Sequence, residues 1–287
     1  MNYGAVIFAH NSREIDYAKM AIISGSLAKK YLKIPVSLIT DDSTVNWLKE
    51  SENYESAENL FDKIIIVPKP LTGNVRNIFD GALINKTVPF VNSNRSSVWN
   101  LTPYNRTLLL DSDYLIYSNT LENFWSYDSD ILISSGMSDI RGDRVGTLDR
   151  WVSDEGVKMY WATTVMFTKN SRSKLFFDLV EHIRLNWKLY ADIYRFVPRI
   201  YRNDVSFSIA KHILNGFDVE ISDCLPEILT CLDKDLIHDV HETGIKFLLN
   251  DAANIDNAYL VNITGRDVHM MNKQAITRAY KKFLEQI

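Results

Sequence analysis

The chain has 287 residues, of which 46% are hydrophobic and 24% charged, with 11 Gly and 7 Pro. That length can bury a sizeable core, and the composition excludes disordered, collagenous and disulfide-rich proteins. A net charge of −4 argues against a general nucleic-acid binder, whose affinity rests on a basic footprint that releases counterions.

Ala5–Ala9 (AVIFA) is an apolar run that ends in His10-Asn11-Ser12, and apolar residues then recur at helical spacing from Glu14 to Tyr31. A strand, a polar loop and a helix are expected there. Pro35–Thr40 and Ile64–Val67 read as two more buried strands, the first closing in Asp41-Asp42. A further strand is expected at Thr107–Leu110, followed by Asp111-Ser112-Asp113 and the apolar Tyr114–Tyr117. Asn119 with Glu122 three residues on predicts a capping box and a helix start. Asp130–Ser134 and Tyr160–Thr168 read as strands, 136–158 as an irregular charged loop, and Ser173–Trp187 and Asp204–Leu214 as amphipathic helices. The tail Asn272–Ile287 reads as helical, with Lys281 and Lys282 near its C-terminus, where cations suit the helix dipole. Strands alternating with helices imply an α/β fold with a mainly parallel central sheet flanked by helices. No repeat or low-complexity linker divides the chain, so residues 1–287 are read as a single unit. Ligands of such sheets bind beyond the carboxyl ends of the strands, which directs attention to Ala9–Ser12, Thr40–Ser43 and the segment after Leu110.

Asp-x-Asp alone is a weak motif. Among 24 Asp it occurs three times, at Asp111/Asp113, Asp128/Asp130 and Asp233/Asp235. Only the first interrupts a strongly apolar run, where a charge costs several kcal/mol unless compensated. A divalent cation would compensate it. Residues i and i+2 of an extended segment project to one side, so both carboxylates can address one ion, and hard oxygen ligands suit Mg2+ or Mn2+. The alternative is a solvated turn in which Asp111 or Asp113 caps a backbone amide.

Pro103-Tyr104-Asn105-Arg106-Thr107-Leu108-Leu109-Leu110-Asp111-Ser112-Asp113 resembles the metal-binding strand of nucleotide-sugar-dependent glycosyltransferases with the GT-A fold, most of all the retaining glycosyltransferase family 8. The resemblance implies that Asp111 and Asp113 bind Mn2+ or Mg2+, which grips a nucleoside diphosphate, with Ser112 counted among the donor contacts. It implies that Ala9, His10, Asn11 and Asp41 stand where base and ribose are held. Val268-His269-Met270-Met271-Asn272-Lys273 is similar to the family's C-terminal His-x-x-Gly-x-x-Lys motif, but has Asn272 where a small residue is usual and a shorter spacing to Lys. It implies His269 as third metal ligand and Lys273 as a phosphate contact; a core histidine beside Met270 and Met271 is the other reading of His269. Arg202-Asn203-Asp204-Val205-Ser206-Phe207 resembles the acidic/amide segment that contacts the donor sugar, which makes Asn203 and Asp204 catalytic candidates; either could instead cap a helix. Thr163 and Thr164 could face the sugar or pack.

The expected chemistry is transfer of a sugar from a nucleoside diphosphate sugar, UDP-linked by resemblance, to a hydroxyl, with retention. The bound metal and a cation such as Lys273 or Lys86 would stabilise the departing diphosphate. Residues 1–117 would form the donor half and 118–287 the acceptor half. An inverting enzyme would need a carboxylate base, for which Asp139, Asp143, Asp149, Asp154 and Glu155 are candidates. The acceptor is left open among a glycan, a small molecule and modified DNA. DNA enters because the chain also resembles glycosyltransferase-like proteins of large tailed bacteriophages, some of which glycosylate a hydroxymethylated base. A non-catalytic nucleotide-sugar-binding protein and a nucleotidyltransferase are the other readings, the latter weakened by the lack of a Gly-rich basic loop after the first strand.

Other signals carry less. The longest apolar runs fall far short of the roughly 18 residues that cross a bilayer, so no transmembrane segment is expected. Met1–Gly4 lacks a basic n-region and Arg13, Glu14 and Asp16 follow too soon for a secretory signal, so a cytoplasmic protein is expected. Cys224 and Cys231 flank Pro226 without metal or disulfide spacing and read as reduced. The Asn-x-Thr triplets at Asn85 and Asn105 are then chance matches. His238–Glu242 matches no zinc signature and reads as an exposed loop. Lys188, Arg195, Arg199 and Arg202, interleaved with Tyr190, Tyr194, Phe196 and Tyr201, read either as surface and acceptor groove or as a nucleic-acid contact.

Overall fold

The computed structural model describes residues 2–51, 53–69, 74–81, 84–142, 150–154, 156–197, 200–217, 224–250 and 258–287. β1 (Tyr3–Phe8) runs into α1 (Tyr17–Leu32), whose start is fixed by the Asp16 side chain accepting from the Lys19 N–H. β2 (Val36–Thr40) is followed by α2 (Asp42–Glu50), capped in the same way by Asp41 on the Thr44 N–H, and by α3 (Tyr54–Leu60). β3 (Lys63–Ile66), the hairpin β4 (Val75–Asp80) and β5 (Ile84–Pro89), and α4 (Val98–Leu101) lead to β6 (Arg106–Leu110) and the short β7 (Tyr114–Leu115). β8 (Ile131–Ser134), β9 (Met137–Asp139) and β10 (Trp161–Thr168) precede α5 (Ser171–Leu185), which opens on a capping box of Asn170 and Ser173. Then come α6 (Trp187–Tyr194), α7 (Asn203–Leu214), β11 (Cys224–Leu225), β12 (Ile228–Cys231), β13 (Leu236–His241), β14 (Gly244–Asn250), β15 (Ala258–Thr264), β16 (Val268–Met270), α8 (Lys273–Arg278) and α9 (Tyr280–Gln286).

The central sheet has seven strands in the order β11-β8-β10-β6-β1-β2-β3. All run one way except β10, which is antiparallel to both β6 and β8. The expected α/β fold with a mainly parallel sheet is thus what the chain forms, and β1, β2, β6, β8 and β10 are buried almost throughout, as strands covered on both faces must be. β1 pairs with β2 on one side and β6 on the other, so a topological switch point lies between the carboxyl ends of β1 and β6. A second sheet, β7-β16-β12-β9, sets His269 directly opposite Tyr114. A third, β13-β14-β15, is antiparallel. No helix among the described residues is long and apolar enough to cross a membrane.

Five local expectations change. Asn119 starts only a 3-10 turn, Thr120–Phe124, with no side-chain cap; the buried Arg106 guanidinium takes the carbonyls of Phe124 (2.8 Å) and Tyr127 (2.9 Å) and holds the chain in a turn there. Within 136–158, Met137–Asp139 is a strand and Trp151 bridges Lys158. His238–His241 lies in β13 rather than in a loop. Ser173–Trp187 breaks at Asn186 into two helices, and the tail breaks at Ala279.

Gly4 in β1 marks close packing against the central sheet. A Cβ there would lie 2.6 Å from Tyr104 Cζ and 2.8 Å from the Pro35 carbonyl oxygen. The ring cannot swing away without losing its 2.7 Å hydrogen bond to Ser37 Oγ. Gly4→Ala is therefore expected to destabilise the fold by about 1–3 kcal/mol, read as a lower urea midpoint with an unchanged slope.

Candidate active site

β6 delivers Asp111 at the edge of the sheet, held by its N–H donating to the Thr163 carbonyl (2.9 Å). The backbone then turns, the Tyr114 N–H reaching back to the Asp111 carbonyl (3.1 Å). The Asp111–Asp113 segment is therefore a turn and not the extended segment expected. Both carboxylates still approach one point, because β7 pairs with β16 and the Met270 N–H donates to the Asp113 carbonyl (2.9 Å), which sets His269 against the pair. Asp267, two residues upstream, accepts the N–H groups of Tyr117 and Ser118 (2.8 Å each) and fixes the far end of β7.

Each carboxylate divides its oxygens. Asp111 Oδ1 pairs with the Arg95 guanidinium and Oδ2 lies 4.0 Å from His269 Nε2. Asp113 Oδ2 pairs with the Lys273 ammonium and Oδ1 lies 3.6 Å from the same nitrogen. One ligand atom from each of Asp111, Asp113 and His269 lies within 4.8 Å of the others. An ion about 2.1 Å from each ligand spans pairs up to about 4.2 Å apart, so the two separations at His269 accept one ion as they stand. Two carboxylate oxygens and an imidazole suit Mn2+, or Mg2+ with less preference for the nitrogen. His269 Nδ1 faces Thr230 Oγ1 at 3.5 Å, which leaves Nε2 for the cluster. Burial pushes the Asp113 carboxyl up, but the Lys273 ammonium and His269 more than offset that, and it sits well below the ordinary range.

These groups line a cavity of about 390 Å3 together with Ser112, Asn203, Asp204 and Thr163. Asn203 and Asp204 open α7 but neither side chain caps it. Asn203 Nδ2 donates to the Asn92 carbonyl (3.1 Å), and Asp204 Oδ1 accepts from the Ala162 N–H (2.9 Å) with Oδ2 3.7 Å from Arg202. Thr164 instead bonds Ser134 inside the sheet.

Five other expected donor contacts do not line this cavity. Ala9 is wholly buried, its N–H on the Ile39 carbonyl (3.0 Å) and its carbonyl taking Thr40 Oγ1 (2.6 Å). His10 and Asp41 form a buried pair at 2.9 Å, with Asp41 also bound by Ser43 and Thr44. Asn11 ties the loop to α1 and α2, through Ala18 N–H (2.8 Å) and Thr44 Oγ1 (2.8 Å), and lines a separate polar cavity. Lys86 is exposed on β5. Of the loop carboxylates, Asp139 and Asp154 are outside the lining, while Asp143, Asp149 and Glu155 lie outside the described residues.

The cavity also holds residues that the sequence did not mark. Arg95 is mostly buried within Asn92–Ser97; that burial lowers its pKa and the carboxylates of Asp204 and Asp113 act against it. Tyr17, Asn92, Arg76 and Trp161 complete much of the wall, as does Asp233 of the third Asp-x-Asp, with Arg202 placed 5.9 Å over the Trp161 ring. Tyr17 Oη, both amide atoms of Asn92 and Asn203 Oδ1 are buried without a hydrogen-bond partner, though such groups are normally satisfied. Four orphaned polar atoms on residues that line one cavity suit a hydroxylated ligand that would supply their partners. The only available signals were the polar run Asn92–Ser97 ahead of β6 and an aromatic opening α1.

No protein-family model matches the chain, and no curated protein matches it. Among solved structures it is similar to the galactosyltransferase LgtC in complex with donor and acceptor sugar analogues, at 13% identity over 72% of this chain and 70% of that one, with a TM-score of 0.43. It is similar to the glycosyltransferase GlyE of Streptococcus pneumoniae at 14% identity and TM-score 0.42, covering 79% of this chain but only 45% of GlyE. Mouse xyloside xylosyltransferase 1 gives 14% identity and TM-score 0.43 over 75% of this chain and 83% of that one. Likeness at this level transfers no activity, and the function is read from the site itself.

The buried His10–Asp41 pair predicts an acid sensitivity. Burial lowers the His10 pKa from its ordinary 6.5, the Asp41 hydrogen bond and charge acting in opposition. The unfolded chain therefore binds that proton first, and stability falls as pH drops through about 6.5. Burial would raise Asp41, but hydrogen bonds from Ser43, His10 and Thr44 leave it lowered, so its contribution is lost only in stronger acid. Urea midpoints at pH 7.5 and 5.5 should differ more for the wild type than for His10→Gln.

Proposed function

We propose that this chain is a metal-dependent glycosyltransferase of GT-A architecture that moves a sugar from a nucleoside diphosphate sugar to a hydroxyl. The observation that carries the reading is the convergence of Asp111 Oδ2, Asp113 Oδ1 and His269 Nε2 at the switch point of a mainly parallel sheet. A divalent cation held there supplies a Lewis acid for the diphosphate.

The chain's own residues do the rest. Arg76, Arg95, Arg202 and Lys273 stand against Asp111, Asp113, Asp204 and Asp233 in the cavity wall, and two of the four cations are already spent on Asp111 and Asp113. A divalent cation at the pair turns that even balance positive, which is what an incoming diphosphate requires. Asn92, Asn203 and Tyr17 offer their orphaned atoms to sugar or ribose hydroxyls. In the reaction the sugar–oxygen bond to the diphosphate breaks, the acceptor oxygen takes the anomeric carbon, and the acceptor proton leaves with the diphosphate or solvent. The Asp204 oxygens face Ala162 N–H and Arg202, a placement that suits positioning better than proton abstraction. Retention, a UDP-linked donor, a donor half at 1–117, an acceptor half at 118–287 and a cytoplasmic setting belong to the reading through the family resemblance.

Calorimetry with UDP- and GDP-sugars should show binding that requires Mn2+ or Mg2+, and the wild type should release nucleoside diphosphate slowly with water as acceptor. Asp113→Asn should weaken donor binding at least tenfold and abolish release; equal binding by the variant with and without metal would overturn the reading. Lys273→Met tests the charge ledger separately. It leaves the buried Asp113 without its ammonium, so its melting temperature without metal should fall, and Mn2+ should raise it by more degrees than in the wild type.

A further inference from the structure

We propose that Arg76 and Asp233 are acceptor contacts that hold between them a hydroxyl next to the one that attacks, and so select an acceptor with neighbouring hydroxyls; this rests on the proposed function. The cavity grades from floor to mouth. Asp113, His269, Lys273, Asn92 and Asn203 are buried, whereas Arg76 and Asp233 are half-buried and Asn77 and Ile200 are exposed. A nucleoside diphosphate sugar must reach the floor to meet the carboxylate pair and the orphaned amides, so the acceptor meets it from the mouth. The two residues come from separate arms. Asp233 and Lys234 form the tip of the turn from β12 to β13, closed by the Asp235 N–H on the Leu232 carbonyl (3.1 Å) and the Leu232 N–H on the Asp235 carboxylate (2.8 Å). In this third Asp-x-Asp, Asp235 is wholly buried and builds the turn, which leaves Asp233 to the cavity. Arg76 lies on β4, its guanidinium 5.6 Å over the Phe90 ring. Asn272 Nδ2 donates both to the Asp235 carbonyl (2.9 Å) and to Asp80 of the hairpin (3.3 Å), so one buried amide fixes the gap between the arms.

Neither charge is spent. Among the described residues no other side chain hydrogen-bonds or ion-pairs with Arg76 or Asp233, and the Arg76 Nε is buried without a partner. The other wall carboxylates are engaged: Asp111 by Arg95, Asp113 by Lys273, and Asp204 by the Ala162 N–H and Arg202. Burial raises the Asp233 pKa while Lys234, Lys273 and Arg76 act against it, so the two charges sense one another without bonding. A group that completes both must accept from a guanidinium and donate to a carboxylate. A hydroxyl does both, whereas an ionised phosphate has no hydrogen to donate and an ammonium no lone pair to accept with. The donor's phosphates are therefore poor neighbours for Asp233, and a hydroxyl arriving at the mouth suits the pair.

The test follows nucleoside diphosphate release by the full chain with Mn2+ and the UDP- or GDP-sugar that calorimetry shows to bind, with methyl hexopyranosides or propanol added. The hexosides are expected to speed release more than propanol does at equal concentration. Asp233→Asn and Arg76→Gln should each cut that preference about tenfold, the worth of a hydrogen bond to a charged group. Their effects on donor affinity should have opposite signs, tighter for Asp233→Asn and weaker for Arg76→Gln, because one removes a negative and the other a positive charge from the wall. Both side chains are part-exposed and unpaired, so melting temperatures should hold. Four results would each overturn the inference: equal release with propanol and hexosides, variants that keep the preference, weaker donor binding by Asp233→Asn, or a lowered melting temperature in both variants. A wild type that binds no nucleotide sugar with metal would overturn the proposed function and this inference with it; metal-dependent donor binding without the hexoside preference would overturn this inference alone.

Discussion

Two carboxylates lie at the end of a buried strand that closes in three leucines, and the rest of the site is arranged around the cost of keeping them charged. Neither has a full complement of cations. Each gives one oxygen to a guanidinium or ammonium and keeps the other for His269. A buried acid paired on both oxygens would be inert, and one paired on neither would protonate or pull in water. The division of oxygens keeps the pair ionised while leaving one oxygen of each facing His269 in the cavity.

That arrangement draws on distant parts of the chain. Asp111 depends on β6 and on the Thr163 carbonyl of β10, the strand that runs against the others. Arg95 opens the 3-10 turn Arg95–Ser97 directly before α4, and its Nη1 is steadied on the Ala162 carbonyl at 2.9 Å. His269 is set by β16 and Lys273 by α8, whose start is capped by Asn272 on the Ala275 N–H. Asn272 also donates to the Asp235 carbonyl (2.9 Å), while Arg278 grips Asp80 of the β4–β5 hairpin. The C-terminal segment thus anchors both His269 and the hairpin that supplies Arg76 to the cavity wall.

The sequence made the buried half of this legible. Runs such as AVIFA, PVSLIT and TLLL are apolar enough to announce strands, and an acidic pair breaking such a run is visible for the charge it places there. Nothing comparable marked 224–270, where β11 to β16 are short or half-exposed and their pattern is set by partners far away. Asn119 carried a capping signal that lost to Arg106, whose guanidinium claims the carbonyls downstream. Ala9, His10, Asn11 and Asp41 have the residue types of a ligand loop, yet their hydrogen bonds are spent on joining β1 to α1 and α2. Tyr17, Asn92 and Arg95 were missed for the opposite reason, because only tertiary structure leaves them facing one cavity.

The partners of the Asp113–Lys273 contact are 160 positions apart in the chain. Contacts that distant form late, after local elements and the nearer strand pairings have closed. Until then Asp113 sits at the rim of a partly assembled sheet, hydrated and without its lysine or its histidine. Under the proposed function, competence for chemistry and completion of folding would be one event, and a chain stalled short of it would be inactive with every one of these side chains intact.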